Sequence, residues 1–402
     1  MFPFFVLMAI GIGTCLIASQ YGVIQYSSHF NIVWVEHFSK ALSEGVMYPR
    51  WQTGYFDGLG APPFYFYPSL PFYILSFLKA LMPAMNMETF IFIGYGVIVG
   101  ISGLTCYTAL KPLFNQRTAF VCAMLYEILP YHLLVDVFDR GAVSELTLYI
   151  WIPLCVSLII KGGLLHKSKY RLYVFTLCYV GVLFSHLPGT IIISGFLLML
   201  QIIRFPNVRD TLKFMFFIVC AFLIAGIYII PAISLMDTIQ SSFWTDFIYY
   251  QNYPFFAEGG SGRYLNTLIS MIYAVYICIA IGLILYAMDK GDTTVRRNIL
   301  LPIMVVLAGI VFLLSPLSVL VWEYLPFMKF IQFPWRFFVA FDMALILLIA
   351  LWLNLGQGFY KKSIVAIVMA LVMFTAFNTY YMPIRQQATH GEIEEIIQIK
   401  IQ

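Results

Sequence analysis

Four stretches of the sequence hold side chains that could do chemistry. The first runs Tyr48-Pro49-Arg50-Trp51 and then Phe56-Asp57-Gly58-Leu59-Gly60-Ala61-Pro62-Pro63. Its Gly and Pro break helices, and its aromatic residues suit a membrane interface. The second, Asp136-Val137-Phe138-Asp139-Arg140-Gly141-Ala142-Val143-Ser144-Glu145, gathers acids around one arginine in a chain that is only 10% charged. Arg140 either pairs with an acid to hold its loop or stays open to an anion. The third, Lys329-Phe330-Ile331-Gln332-Phe333-Pro334-Trp335-Arg336-Phe337-Phe338, places Arg336 where a loop enters an apolar run. A guanidinium offers a fixed fork of donors that matches phosphate oxygens, although an arginine at a helix end can also snorkel to lipid headgroups. The fourth, Ser185-His186-Leu187-Pro188-Gly189, reads as a tight turn in which His186 is a ligand or, more simply, a turn residue.

Two acids, Glu127 and Asp342, fall inside apolar runs. An ionisable group at membrane depth is expensive and is a functional candidate by default. Glu36, with Lys40 four residues on, has the pattern of a solvated helix pair. Neither H-E-x-x-H nor G-x-S-x-G occurs, and Gly259-Gly260-Ser261-Gly262 lacks the Lys-Ser/Thr of a phosphate loop. The seven cysteines lie in apolar runs without a C-x-x-C and read as small hydrophobes. No metal motif or certain cofactor is expected, although external carboxylates could hold a divalent ion.

The elements that must position these residues follow from composition. The chain has 402 residues, 61% hydrophobic and 18% aromatic, with a net charge of +4. Soluble domains are about 45–50% apolar and about 25% charged, so a cytoplasmic enzyme, a nucleic-acid-binding module and a disordered chain are excluded. An all-α, polytopic membrane protein remains, read as one integral domain over 1–402. About 20 apolar residues make a span, and eleven are expected: 2–19, 89–110, 118–134, 146–160, 172–185, 187–203, 214–235, 264–287, 299–318, 337–356 and 363–380. The first is read as a retained span, not a cleaved signal.

The stretch 68–84 could cross or lie in the surface. Basic loops carrying Lys111 and Arg117, then Lys161 to Arg171, then Lys361 and Lys362, alternate with more acidic ones. By the positive-inside rule the basic loops are cytoplasmic. Counting back, 68–84 does not cross, the N-terminus is cytoplasmic, 20–88 forms one large external loop and 382–402 is a short external tail. Within that loop His29 to Glu44 reads as an amphipathic helix. Phe30, Trp34, Phe38, Ala41 and Leu42 share the face that rests in the membrane interface.

Taken together, three motifs carry a resemblance. They are G-x-x-Y-P-R-W (Gly45 to Trp51) followed by G-x-G-x-P (Gly58 to Pro62), R-G-x-x-x-E (Arg140 to Glu145) preceded by Pro130-Tyr131, and Q-F-P-W-R-F (Gln332 to Phe337). The chain resembles the bacterial membrane family labelled 6-pyruvoyl-tetrahydropterin synthase-related, although it shows no pterin-enzyme domain and no zinc-ligand cluster. That family looks like a branch of the GT-C membrane glycosyltransferases.

The resemblance implies a bacterial inner-membrane enzyme working on its external or periplasmic face. It would move a sugar from a polyprenyl-phosphate-linked donor to a cell-envelope acceptor, among membrane lipids and without nucleic acid. An acid in the first external loop would be the general base, and basic residues would hold the leaving phosphate. Where many relatives carry an Asp before the amphipathic helix, this chain reads Tyr26-Ser27-Ser28-His29-Phe30-Asn31. The candidate acids are then Glu145, Asp57, Glu36 and Asp139. The candidate phosphate or substrate ligands are Arg140, Arg336, Arg50, His186 and Trp335. A transporter or flippase of lipid-linked intermediates, or a non-catalytic membrane protein, are the alternatives.

Overall fold

The computed structural model describes residues 1–19, 27–160, 169–238, 253–254 and 263–355. The expected span 363–380, the tail 382–402 and most of the loop between Asp237 and Arg263 lie outside the described residues. Among the described residues every regular element is helical, and Gln52 with Ala61 makes a lone antiparallel bridge. In chain order the main helices are α1 (Phe2–Ser19), α2 (Ser28–Ser43), α3 (Leu70–Leu81), α4 (Met87–Leu110), α5 (Gln116–Ile128), α6 (Val143–Ile160) and α7 (Lys169–Ser185). They continue with α8 (Leu187–Arg204), α9 (Val208–Ile224), α10 (Gly226–Ser234), α11 (Arg263–Lys290), α12 (Leu301–Leu313), α13 (Val319–Tyr324) and α14 (Phe338–Leu355).

Seven of the described helical segments are long and apolar enough to cross a membrane, or eight if α9 and α10, bent by 71° at their junction, form one span. This is a membrane protein. Phe2–Ile17 and Tyr170–Ser185 are apolar but shorter.

The first contact in the bundle fixes the sidedness. Gly11 lies against the backbone of Gly96 and Gly100, Ile12 against Gly96 and Met8 against Gly100. Numbers rise along α1 as they fall along α4, so the two helices are antiparallel. Small residues permit this close approach. Ser19 and Met87 are therefore on one face. α3, with 12 residues, rises only about 18 Å and could not cross a hydrocarbon core of about 30 Å. Instead it packs on α2 in a cluster of Trp34, Phe38, Phe64 and Phe72, with ring centroids 4.8–6.3 Å apart. We call this side of the bundle the loop face.

The residues of α2 packed against the protein are Ser28, Asn31, Val35 and Phe38, and Phe30 is 56% exposed on the outer side, where an apolar side chain can meet lipid. Polar contacts dock the buried side. Asn31 Nδ2 donates to the Gly141 carbonyl at 2.6 Å and to the Tyr95 hydroxyl at 2.8 Å, and the Ser27 amide donates to the Arg140 carbonyl at 2.9 Å. The helix braces the turn between α5 and α6 as well as lying at the surface.

The span that begins with α5 is broken. Leu129 is extended (ψ 143°), and Pro130 has no N–H for the Tyr126 carbonyl. His132 Nδ1 takes that carbonyl at 2.7 Å, and the Tyr131 amide donates to the Tyr273 hydroxyl at 3.2 Å. Freed backbone groups inside a membrane need such partners. The chain then continues as a wide helix, Tyr131–Asp139, whose end is marked by the Arg140 amide donating to the Val135 carbonyl.

Candidate functional site

The turn from Asp139 to Val143 brings the loop-face ends of two spans together. Gly141 takes φ +59° there, a region that only glycine enters without steric cost. Its carbonyl is thereby presented to Asn31, and Arg140 is left above the helix ends. Arg140 Nη1 lies 2.8 Å from Glu145 Oε2 and 3.3 Å from Asp136 Oδ1. The Tyr131 hydroxyl donates to Glu145 Oε1 at 2.8 Å and accepts from Arg140 Nη1 at 3.4 Å.

Arg336 arrives from a third stretch. Its Nε is 3.5 Å from Glu145 Oε2, and its Nη1 donates to the Ile331 carbonyl at 2.6 Å and to Gln332 Oε1 at 3.1 Å. Gln332 sits at φ +65°, a costly conformation for a residue with a Cβ, which turns its amide back to the guanidinium. The Phe333 ring lies 4.9 Å from the Arg336 guanidinium and 6.0 Å from that of Arg140, and it stacks on Trp335 at 4.5 Å.

Glu145 has both oxygens occupied. It holds two arginines in place, and a carboxylate so engaged is a poor base. Among the described residues Asp136 Oδ2 has no hydrogen-bond partner. Arg140 Nη1 makes all three of that residue's side-chain bonds there, so its Nε and Nη2 are unengaged among the described residues, and its side chain is 20% exposed. Burial opposes the Arg140 charge, but Glu145, Tyr131 and Asp136 outweigh it and hold the guanidinium above its ordinary pKa. Tyr67, from the first loop, also feels both arginines and Glu145. Burial raises its pKa, and Arg140 and Arg336 pull against that rise.

Among the described residues the remaining candidates make no ion pair with this cluster. Asp57 and Glu36 are exposed. Neither forms an ion pair among the described residues, so the structure does not gather them with the cluster. Asp139 is half-buried beside Arg140 without an ion pair to it. Trp335 is half-buried, and its Nε1 has no partner. Asp342 accepts from the Tyr273 and Tyr149 hydroxyls at 2.7 and 3.1 Å. Tyr131, Asn31 and Gln332 join the site without having been singled out, because only the folded turn shows where their side chains end. No protein-family model matches the sequence, and neither does any curated protein. Among the described residues no group of three or more His, Cys, Asp or Glu side chains is placed to hold a metal ion.

Arg50 is engaged in a different task. Pro231 inside α10 has no N–H, so the Ile227 carbonyl lacks its helical donor. Arg50 Nη2 supplies it at 2.6 Å, while the guanidinium rests on the Tyr48 ring at 4.5 Å. The Tyr228 hydroxyl donates to the Phe66 carbonyl at 2.8 Å beside it. Arg50→Ala is therefore expected to destabilise the protein by about 1–3 kcal/mol, the cost of an unsatisfied polar group. In a Pro231→Ala background, where the new amide can make the bond, the same change is expected to be nearly neutral. A double-mutant cycle by thermal unfolding in detergent measures this, and zero coupling between the two positions contradicts it.

His186 caps α8. Its Nδ1 accepts from the Gly189 amide at 3.2 Å, which requires a neutral ring. Burial pushes its pKa down to about 3, against the opposing pull of Glu145. An unfolded histidine titrates near 6.5, so between about pH 6.5 and 3 the unfolded chain binds the extra proton. Stability is lost as pH falls through that window. His186→Asn keeps a capping acceptor without that titration. Its Tm is expected to fall less steeply than the parent's between pH 6.5 and 4; parallel slopes contradict the assignment.

Proposed function

We propose that this protein is a membrane glycosyltransferase with a GT-C-like arrangement of about 11 spans. It takes a sugar from a polyprenyl-phosphate-linked donor on the loop face and passes it to a cell-envelope acceptor. The observation that carries this reading is the unengaged Nε and Nη2 of Arg140, held at the membrane surface by Glu145 beside Arg336. These are donors fixed where a lipid phosphate would lie, and they meet the negative charge that develops on a departing phosphate.

The acceptor hydroxyl attacks the sugar carbon. The bond from that carbon to the phosphate oxygen breaks, and polyprenyl phosphate leaves into the arginine fork. The acceptor's proton passes to Asp136 Oδ2, the cluster oxygen without a partner. Phe333 and Trp335 offer aromatic faces beside the phosphate. Lys111, Arg117, Arg204, Arg209, Lys213, Lys290 and Arg297 lie at or just beyond the opposite ends of the helices. By the positive-inside rule the loop face is then external, in the bacterial inner membrane.

The polar groups that continue below the cluster, namely Asp342, His132 and Glu127, favour a second reading as a transporter of lipid-linked intermediates. Purified protein given a radiolabelled polyprenyl-phosphate sugar separates the two. A transferase releases polyprenyl phosphate and moves the label to an acceptor. A transporter in vesicles moves the intact donor across, and that result overturns the transferase reading.

A further inference from the structure

Glu127 takes no part in the cluster. It lies near the middle of the span Gln116–Asp139, is fully buried, and among the described residues neither of its carboxyl oxygens has a hydrogen-bond partner. It occupies the place where α1, α5 and α4 meet. Cys15 of α1 and Cys106 of α4 are near enough to feel its charge. Gly103 of α4 packs so closely on its Oε1 that a side chain at 103 would collide with it. On its own helix the turn before carries Cys122, and Tyr126 points its hydroxyl away, to the Tyr149 carbonyl. Asp342, the acid of the packed helix α14, is held by two tyrosines. Among the described residues no lysine, arginine or second carboxylate acts on Glu127.

A carboxyl with two open oxygens in such surroundings must be matched by something that arrives. A metal or alkali cation would need several oxygen ligands, and the walls supply thiols, a glycine and apolar side chains. A proton needs only the carboxyl itself. Two residues on, the span is broken at Leu129-Pro130, and the Tyr131 amide is drawn to Tyr273 instead of the Glu127 carbonyl. Interrupted helices next to an acidic side chain at mid-depth are a setting in which membrane proteins handle ions and protons.

We propose that Glu127 is a proton-binding site in the middle of the membrane, built by Gly103, Cys15 and Cys106 and independent of the transferase reading. It binds and releases a proton in the folded protein. Full-length protein in lipid bilayers is examined by infrared difference spectroscopy across pH. The expected signal is the carbonyl stretch of a protonated carboxylic acid in apolar surroundings, shifted by deuterium exchange and absent from Glu127→Gln.

A second measurement needs no variant. A hydrophobic carbodiimide, which reacts with protonated carboxyl groups, is expected to modify Glu127 in mapped peptides, with no protection by sodium or potassium. Gly103→Ala, which crowds the carboxyl, is expected to reduce that labelling several-fold. An infrared difference identical in the parent and Glu127→Gln overturns the proposal. So does labelling that sodium or potassium blocks, since that result identifies a cation site. Absence of sugar transfer by the parent protein, with the acid band present, would leave this site standing and remove the transferase reading alone.

Discussion

Arg140→Lys is expected to lower sugar transfer by roughly 100-fold or more, the scale of losing a donor aimed at developing charge. The ammonium can still meet Glu145, so the fold is expected to survive in detergent with a Tm within a few degrees of the parent. What lysine lacks is the planar fork. Arg140 holds the protein with one nitrogen, Nη1, and leaves Nη2 and Nε for the proposed phosphate; a single ammonium cannot do both. Arg140→Ala is expected to abolish transfer as well, and to cost stability by leaving Asp136 without its cation. Full activity in Arg140→Lys removes the bidentate phosphate contact.

Glu145→Ala is the most damaging single change expected for stability. It strips two guanidiniums and the Tyr131 hydroxyl of their shared partner. Breaking a buried pair by removing one member costs about 3–5 kcal/mol. Glu145→Gln keeps an acceptor for Tyr131 but loses the charge, so both Tm and activity are expected to fall together. Asp136→Asn is expected to behave differently, losing about 10²–10⁴ in kcat as a missing general base does, with a smaller change in Tm. A Glu145→Gln variant that unfolds like the parent yet has no turnover would reverse these roles and make Glu145 the base.

The charged residues of the site were legible in the sequence for a physical reason. Charge is scarce in this chain, so Arg140, Glu145 and Arg336 at the ends of apolar runs stand out, and alternating basic loops put all three on one face. The apolar stretch 68–84, read as a segment that does not cross, holds the 12-residue helix α3, which is too short to span a bilayer. What could not be read depends on pairings between distant segments. Nothing near Arg50 announces that its partner is a carbonyl freed by Pro231. Helix periodicity gave α2 an apolar face, but nothing in it shows that Asn31 docks the helix on Gly141 and Tyr95 through two hydrogen bonds. Glu145 read as an acid available for chemistry. Only the geometry shows that its oxygens are already taken, and that Asp57 and Glu36 stay exposed at the surface of the first loop.

The central claim is that a lipid phosphate sits against Arg140 and Arg336 on the loop face. Photolabelling tests it most directly, with a polyprenyl phosphate whose first isoprene carries the reactive group. The account predicts labelled peptides that include Phe333 and Trp335 or Tyr67, competed by unlabelled polyprenyl phosphate and lost in Arg140→Lys. Label on the opposite face, in peptides spanning Arg204 to Lys213, or undiminished labelling in Arg140→Lys, would contradict it.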